Sequence, residues 1–299
     1  MRSYQRPEVN AVVKYGVTIF PTDVAIRIDH LARAAEERGF ESLFVSEHSH
    51  IPASRRTPWP MGGAELPREY WAMVDPFVAL AMAAGVTSKL VLGTAICLVI
   101  QRDPIITAKE AASLDHLSGG RFVFGIGAGW NAEEMENHGT AFANRWEIAQ
   151  EKTEAIKAIW SRHGASYQGR FVKFDPIWSD PKPVQKPHPP ILFGGQGHKA
   201  MRAAIAYCDG WLPAVVPGFR IQAAKFREMA QRAGRDPSSL SITAIWAAVK
   251  NGWVPPDRAV LDEVADAGVE RLICGVPPAG RDVVMRWLDD YARLIEAGR

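Results

Sequence analysis

The feature that most constrains this chain is an alternation. Short, β-branched apolar runs are followed by segments of helical periodicity, and this unit recurs eight times with no dividing linker. The runs Val12–Phe20, Ser42–Ser46, Leu90–Cys97, Arg121–Ile126, Ile191–Phe193, Gly210–Leu212, Ser241–Val249 and Arg271–Cys274 read as strands. Helices are predicted over Asp23–Arg38, Pro76–Gly85, Pro104–Leu117, Arg145–Arg162, His198–Tyr207, Phe219–Gly234, Pro256–Gly268 and Arg281–Ala297. Strands that alternate with helices predict a parallel sheet covered by helices. Eight units within 299 residues predict its closure into a single (β/α)8 TIM barrel spanning 1–299, with loop insertions. An open doubly wound sheet would want a glycine-rich turn after the first strand, and Phe20-Pro21-Thr22-Asp23 is not one. Two stretches interrupt the rhythm: the loop Glu47–Asp75, and Ser166–Pro190, where YQGRFVKF reads as a hairpin and PKPVQKPHPP as a loop.

Composition narrows the function classes. Hydrophobic residues make up 47% of the chain and charged residues 23%, as in an ordinary globular protein. Lys plus Arg minus Asp plus Glu is 35 − 33 = +2, so no whole-chain field draws it to nucleic acid. The longest clean apolar stretch, Leu90–Ile100, is half a membrane span, and the opening MRSYQRPEVNAVVKYG has no leader pattern. Cys97, Cys208 and Cys274 are far apart and form no CxxC pair, which fits reduced thiols in a cytoplasm. No GxSxG, HExxH or Walker sequence supports hydrolytic or nucleotide-triphosphate chemistry.

In a barrel the active site lies where the strands end. The second strand runs into Glu47-His48-Ser49-His50. His48 there suits acid–base or cofactor contact beside Glu47, and a His48/His50 metal pair is an alternative. Gly93-Thr94 inside the third strand points to a bulge or a close backbone approach, with a barrel-corner glycine as the plainer reading. The fourth strand ends in Gly125-Ile126-Gly127-Ala128-Gly129-Trp130, a turn that would let backbone and Trp130 border a pocket. Glu133 and Glu134 follow as first-turn charges of a helix. The fifth ends in Gly194-Gly195-Gln196-Gly197-His198 at a helix start, where free N–H groups favour a phosphate.

Five segments carry a family resemblance: SLFVSEHSHIP, LGTAICLVIQRDPIITAKEAASLDHLSGGRFVFGIGAGWNAEE, RWEIAQEKTEAIKAIW, PKPVQKPHPPILFGGQG and CDGWLP. The chain resembles the luciferase-like flavin/deazaflavin oxidoreductases, in particular their F420-dependent branch. The resemblance implies a homodimeric barrel with a cofactor in its mouth and the cofactor phosphate at the Gly194–His198 turn. It implies that Glu47 and His48 border the cofactor ring and that Ala95-Ile96 is a non-prolyl cis peptide supporting one ring face. Trp130 stands where the family's F420-dependent sugar-phosphate dehydrogenases carry a Glu proton donor, which puts that substrate chemistry in doubt.

Together these readings describe an F420-dependent oxidoreductase exchanging a hydride with a small organic substrate. His48 and Glu47 would do the chemistry. Thr94, Ala95, Ile96, Gly127, Trp130, Glu133, Gly194, Gly195, Gln196, Gly197 and His198 would hold the cofactor. No resident metal is expected. The alternatives are an FMN-dependent monooxygenase using O2, a metal-dependent hydrolase using His48 and His50, and a non-catalytic cofactor-binding barrel.

Overall fold

The computed structural model describes residues 13–63, 65–246 and 253–297. Eight strands close into a barrel: β1 (Lys14–Ile19), β2 (Ser42–Val45), β3 (Val91–Thr94), β4 (Phe122–Ile126), β7 (Ile191–Gly194), β8 (Gly210–Leu212), β9 (Ser241–Trp246) and β10 (Arg271–Gly275). All neighbouring pairs are parallel, including the closing pair β1–β10. Around them lie α1 (Ile28–Glu37), α2 (Pro76–Ala84), α3 (Pro104–Leu117), α5 (Arg145–Ser161), α6 (Gly197–Tyr207), α7 (Phe219–Arg232), α8 (Arg258–Asp266) and α9 (Arg281–Glu296). The predicted barrel is therefore present. Val12 and residues 247–249, assigned to strands by pattern, lie outside the described residues.

Side chains alternate in and out along each strand. On β4, Phe122 and Phe124 join the layer under the helices, while Val123 enters a separate inner cluster. Phe44, Leu192, Leu212 and Ile273 from β2, β7, β8 and β10 complete that cluster, so the cylinder is filled rather than hollow. This explains Gly93, which pairs directly with Phe44. A Cβ on Gly93 would lie 2.2 Å from the Phe44 ring. The β2–β3 ladder runs without a register shift, so the glycine makes room for a plugging phenylalanine and does not mark a bulge.

Helix starts follow cap chemistry. Asp75 accepts from the Phe77 and Val78 amides ahead of Pro76, and Asp103 does the same for Ile105 and Ile106 ahead of Pro104. α1 begins at Ile28, later than the periodicity predicts, and Asp23 ahead of it is bound in a bidentate pair with Arg68. Two insertions stand outside the eight units. The short α4 (Ala132–Asn137) follows β4, capped by Asn131. The expected hairpin is β5 (Ala165–Gln168) against β6 (Lys173–Ile177), its turn held by Glu151, which accepts from the amides of Arg170, Phe171 and Val172. No helix among the described residues is long and apolar enough to cross a membrane.

Candidate functional site

Because all eight barrel strands are parallel, their C-terminal ends open on one rim. His48 stands there at the end of β2, 9% exposed. Its Nδ1 lies 2.7 Å from Glu134 Oε2 on α4, and its Nε2 accepts from the Trp130 indole N–H at 3.3 Å. Glu134 is fully buried. Rings surround the imidazole: Tyr70 at 5.5 Å and Trp130 at 5.7 Å between centroids, with Trp59 and Phe20 in turn against Tyr70. The Arg55 guanidinium stands over Trp130 at 5.9 Å. The second strand, the long loop after it and the turn after β4 thus converge on one aromatic-walled histidine.

Glu47 turns elsewhere. Its carboxylate accepts from the Leu98 amide and from Arg102 Nε, each at 2.6 Å. Arg102 also binds Asp75 and Glu110. Burial opposes the Arg102 charge, but the carboxylate of Glu47 beside it prevails and holds its pKa above the usual arginine value. Glu47 is thus engaged in the wall behind the rim, where it ties the start of the β3–α3 connection to β2.

The third strand turns at Ala95-Ile96, whose peptide is cis, in the position the resemblance implies. The Thr94 hydroxyl is committed to the Gly125 carbonyl at 2.7 Å, and the Ala95 amide to Val45 O at 2.7 Å. Ile96 is half-buried at the mouth. Added Cβ atoms on Gly127 and Gly194 would come within 2.1 and 2.3 Å of its side chain. These two glycines therefore seat Ile96. Glu133 points to the long loop instead: its carboxylate accepts from the Thr57 hydroxyl at 2.6 Å and from the Arg56 and Thr57 amides. Those donors, led by the Thr57 hydroxyl, hold its pKa down to about 2.

Across the rim, Gly195 (φ +117°) and Gly197 (φ +81°) adopt conformations that favour glycine. Residues 195–199 are exposed, and α6 begins with no side-chain cap, so its first N–H groups are free. Gln196 is tied down through its amide to Ala214 O at 2.6 Å, while Lys199 and Arg202 have no ion-pair partner among the described residues.

His50 does not join His48. Its ring nitrogens meet Ser49 Oγ and the Asn137 amide, whereas those of His48 meet Glu134 and Trp130. His138 shares Ser49 with His50, and burial followed by that neighbouring imidazole pushes its pKa below the usual value. Among the described residues no three His, Cys, Asp or Glu side chains are grouped to hold a metal. The metal-hydrolase alternative therefore has no support. The sequence reading also missed partners. Glu134 was visible only as one of two first-turn acids, and Tyr70, Trp59 and Phe20 carry no motif. Only the fold shows that they share a wall.

The filled (β/α)8 barrel thus carries a hydrogen-bonded histidine on one side of its rim and an uncapped helix start on the other. The chain belongs to the luciferase-like monooxygenase family, whose profile matches residues 15–273. An uncharacterized protein of Mycobacterium tuberculosis is 36% identical to it over 291 residues, 93% of this chain and 97% of that protein. The monooxygenase RslO1 from Streptomyces bottropensis has the same fold, with a TM-score of 0.77 at 22% identity over 96% of this chain and 99% of that one. So does an F420-dependent secondary alcohol dehydrogenase, with a TM-score of 0.75 at 19% identity and the same coverage.

Proposed function

We propose that this chain is a coenzyme F420-dependent oxidoreductase that moves a hydride between the deazaflavin and a small organic substrate at the barrel mouth. The observation that carries this reading is the uncapped, exposed N-terminus of α6, opened by Gly195 and Gly197. Free helix N–H groups bind a phosphate. Lys199 and Arg202 add positive charge, which suits a cofactor with a phosphate and further carboxylates more than one with a phosphate alone. The residues present therefore fit the group.

In this reading the amides from Gln196 to His198 would hold the phosphate, and Ala95 and Ile96 would line the ring. When bound, the deazaflavin supplies a ring carbon that gives or takes a hydride. His48 moves the accompanying proton at Nε2, and Glu134 holds the opposite nitrogen and stabilises the imidazolium. Trp130 and Tyr70 shape the substrate side. Glu47 and Glu133 act at one remove, through Arg102 and the long loop. The exposed apolar side chains Trp71, Val74, Val78, Met82 and Ile106 on and before α2 and α3 supply a face for a homodimer.

Separate fluorescence titrations with F420 and FMN test the assignment. Saturable 1:1 binding of F420, with FMN weaker by roughly tenfold or more, is expected. Lys199→Glu should weaken F420 by about fivefold to tenfold without touching the fold, because Lys199 is exposed. Preference for FMN would move the chain to the flavin monooxygenases, and indifference to both would refute a cofactor in the mouth.

A further inference from the structure

Three arginines lie on the long loop after β2, and they differ in their partners. Arg56 pairs with Glu133 at 3.4 Å, and Arg68 makes two hydrogen bonds to Asp23, at 2.7 and 2.8 Å. Arg55 has no carboxylate partner among the described residues. Its Nη1 donates to the Thr57 carbonyl, and its guanidinium stands 5.9 Å from the centre of the Trp130 ring. Arg55 is nonetheless half-buried. A guanidinium brings five N–H donors and does not lose its charge. Drawing it out of water is costly unless an anion meets it.

Arg55 also lines a cavity of about 350 Å³, together with Ile51, Pro52, Ala53, Leu66 and Trp71. That volume is at the lower end for small-molecule sites, roughly 300–1,000 Å³. Apart from Arg55, no side chain of the lining is charged. Trp71 is 52% exposed, so it borders the cavity and still leaves surface for the dimer face.

We propose that this cavity binds an apolar organic monocarboxylate, with its carboxylate on Arg55 and its hydrocarbon body against Ile51, Leu66 and Trp71. Charge sets the class. One unpaired guanidinium balances one negative charge, and its parallel N–H groups match the two oxygens of a carboxylate. A phosphate monoester carries about −1.5 to −2 at neutral pH and would want a second cation. The two other arginines of the loop are already matched by Glu133 and Asp23. Because Arg55 stands on Trp130, the site lies at the edge of the rim. It goes beyond the oxidoreductase reading and does not depend on it.

Isothermal titration calorimetry of the full-length protein without cofactor tests this. The probes are cyclohexanecarboxylate, the neutral cyclohexylmethanol, and acetate, which has the head group without the body. Saturable 1:1 binding of cyclohexanecarboxylate is expected, with each of the other two weaker by roughly tenfold or more. Arg55→Met should weaken the carboxylate by roughly tenfold to a hundredfold. Arg56→Met removes an equal charge from the next residue and should change it by less than about twofold. Ala53→Trp, at an exposed position, fills the cavity without altering Arg55 and should abolish binding. That variant keeps the test decisive if Arg55→Met loosens the loop. No saturation by cyclohexanecarboxylate, equal binding of either control, full affinity in Arg55→Met or Ala53→Trp, or an equal loss in Arg56→Met would each overturn the proposal. F420 is absent from every arm, so a failure of the cofactor assignment would appear separately, in the titrations above.

Discussion

At the scale of single residues, the proposed function separates a group that would do chemistry from groups that would hold the site. His48 has one ring nitrogen on the buried Glu134 carboxylate and the other on the Trp130 indole N–H. His48→Ala should leave F420 affinity within a few-fold and reduce turnover by roughly 10²–10⁴. Unchanged turnover would remove it from the mechanism. Glu47 should behave in the opposite way. Glu47→Gln breaks a buried pair but leaves Arg102 with Asp75 and Glu110, so the expected loss is about 1–3 kcal/mol. Thermal unfolding would show this as a Tm lower by several degrees. Glu133 gives a pH signature. Its folded pKa is about 2 against an ordinary value of 4.5. The stability it lends the long loop is therefore complete above pH 4.5 and fades as the pH falls toward 2. Amide exchange at Arg56 and Thr57 should speed up, beyond its intrinsic pH dependence, over that window, and a flat protection profile would contradict the assignment.

At the scale of elements, the loops between strand and helix decide where side chains go, and their legibility varies. The shape of the glycine turn before α6 could be read in advance because glycine marks backbone freedom, and Gly195 and Gly197 do adopt positive φ. Gly93 could not, because its reason is the Phe44 ring on the neighbouring strand. Nor could the engagement of Glu47, whose partner Arg102 lies 55 residues away and reaches it only once β2 and β3 pair. Glu134 looked like an ordinary helix-start acid until α4 brought it against His48. Gly93→Ala is the direct element-scale prediction. Its Cβ would overlap Phe44, so the barrel must shift or the ring leave its rotamer, at about 1–3 kcal/mol or more. Denaturant unfolding that matched wild type would show that the interior is looser than described.

At the scale of the whole molecule, strand–helix alternation was enough to predict a closed parallel barrel, because few other architectures bury eight such units. The outer surface was less legible, since exposed apolar side chains have no sequence period of their own. Val78 and Met82 on α2 are 68% and 42% exposed and lie one turn apart. Sedimentation should find a dimer in wild type, and Val78→Asp with Met82→Asp should shift it toward monomer. A wild-type monomer at micromolar concentration would leave that face without a role.

The account stands or falls on what the barrel mouth holds, and a crystal structure of the protein grown with F420 tests this most directly. The tricyclic ring is expected beside Ile96 and His48, with the phosphate within hydrogen-bonding distance of the Gln196–His198 amides. Density for F420 away from that rim, or its absence at saturating concentration, would contradict the central assignment.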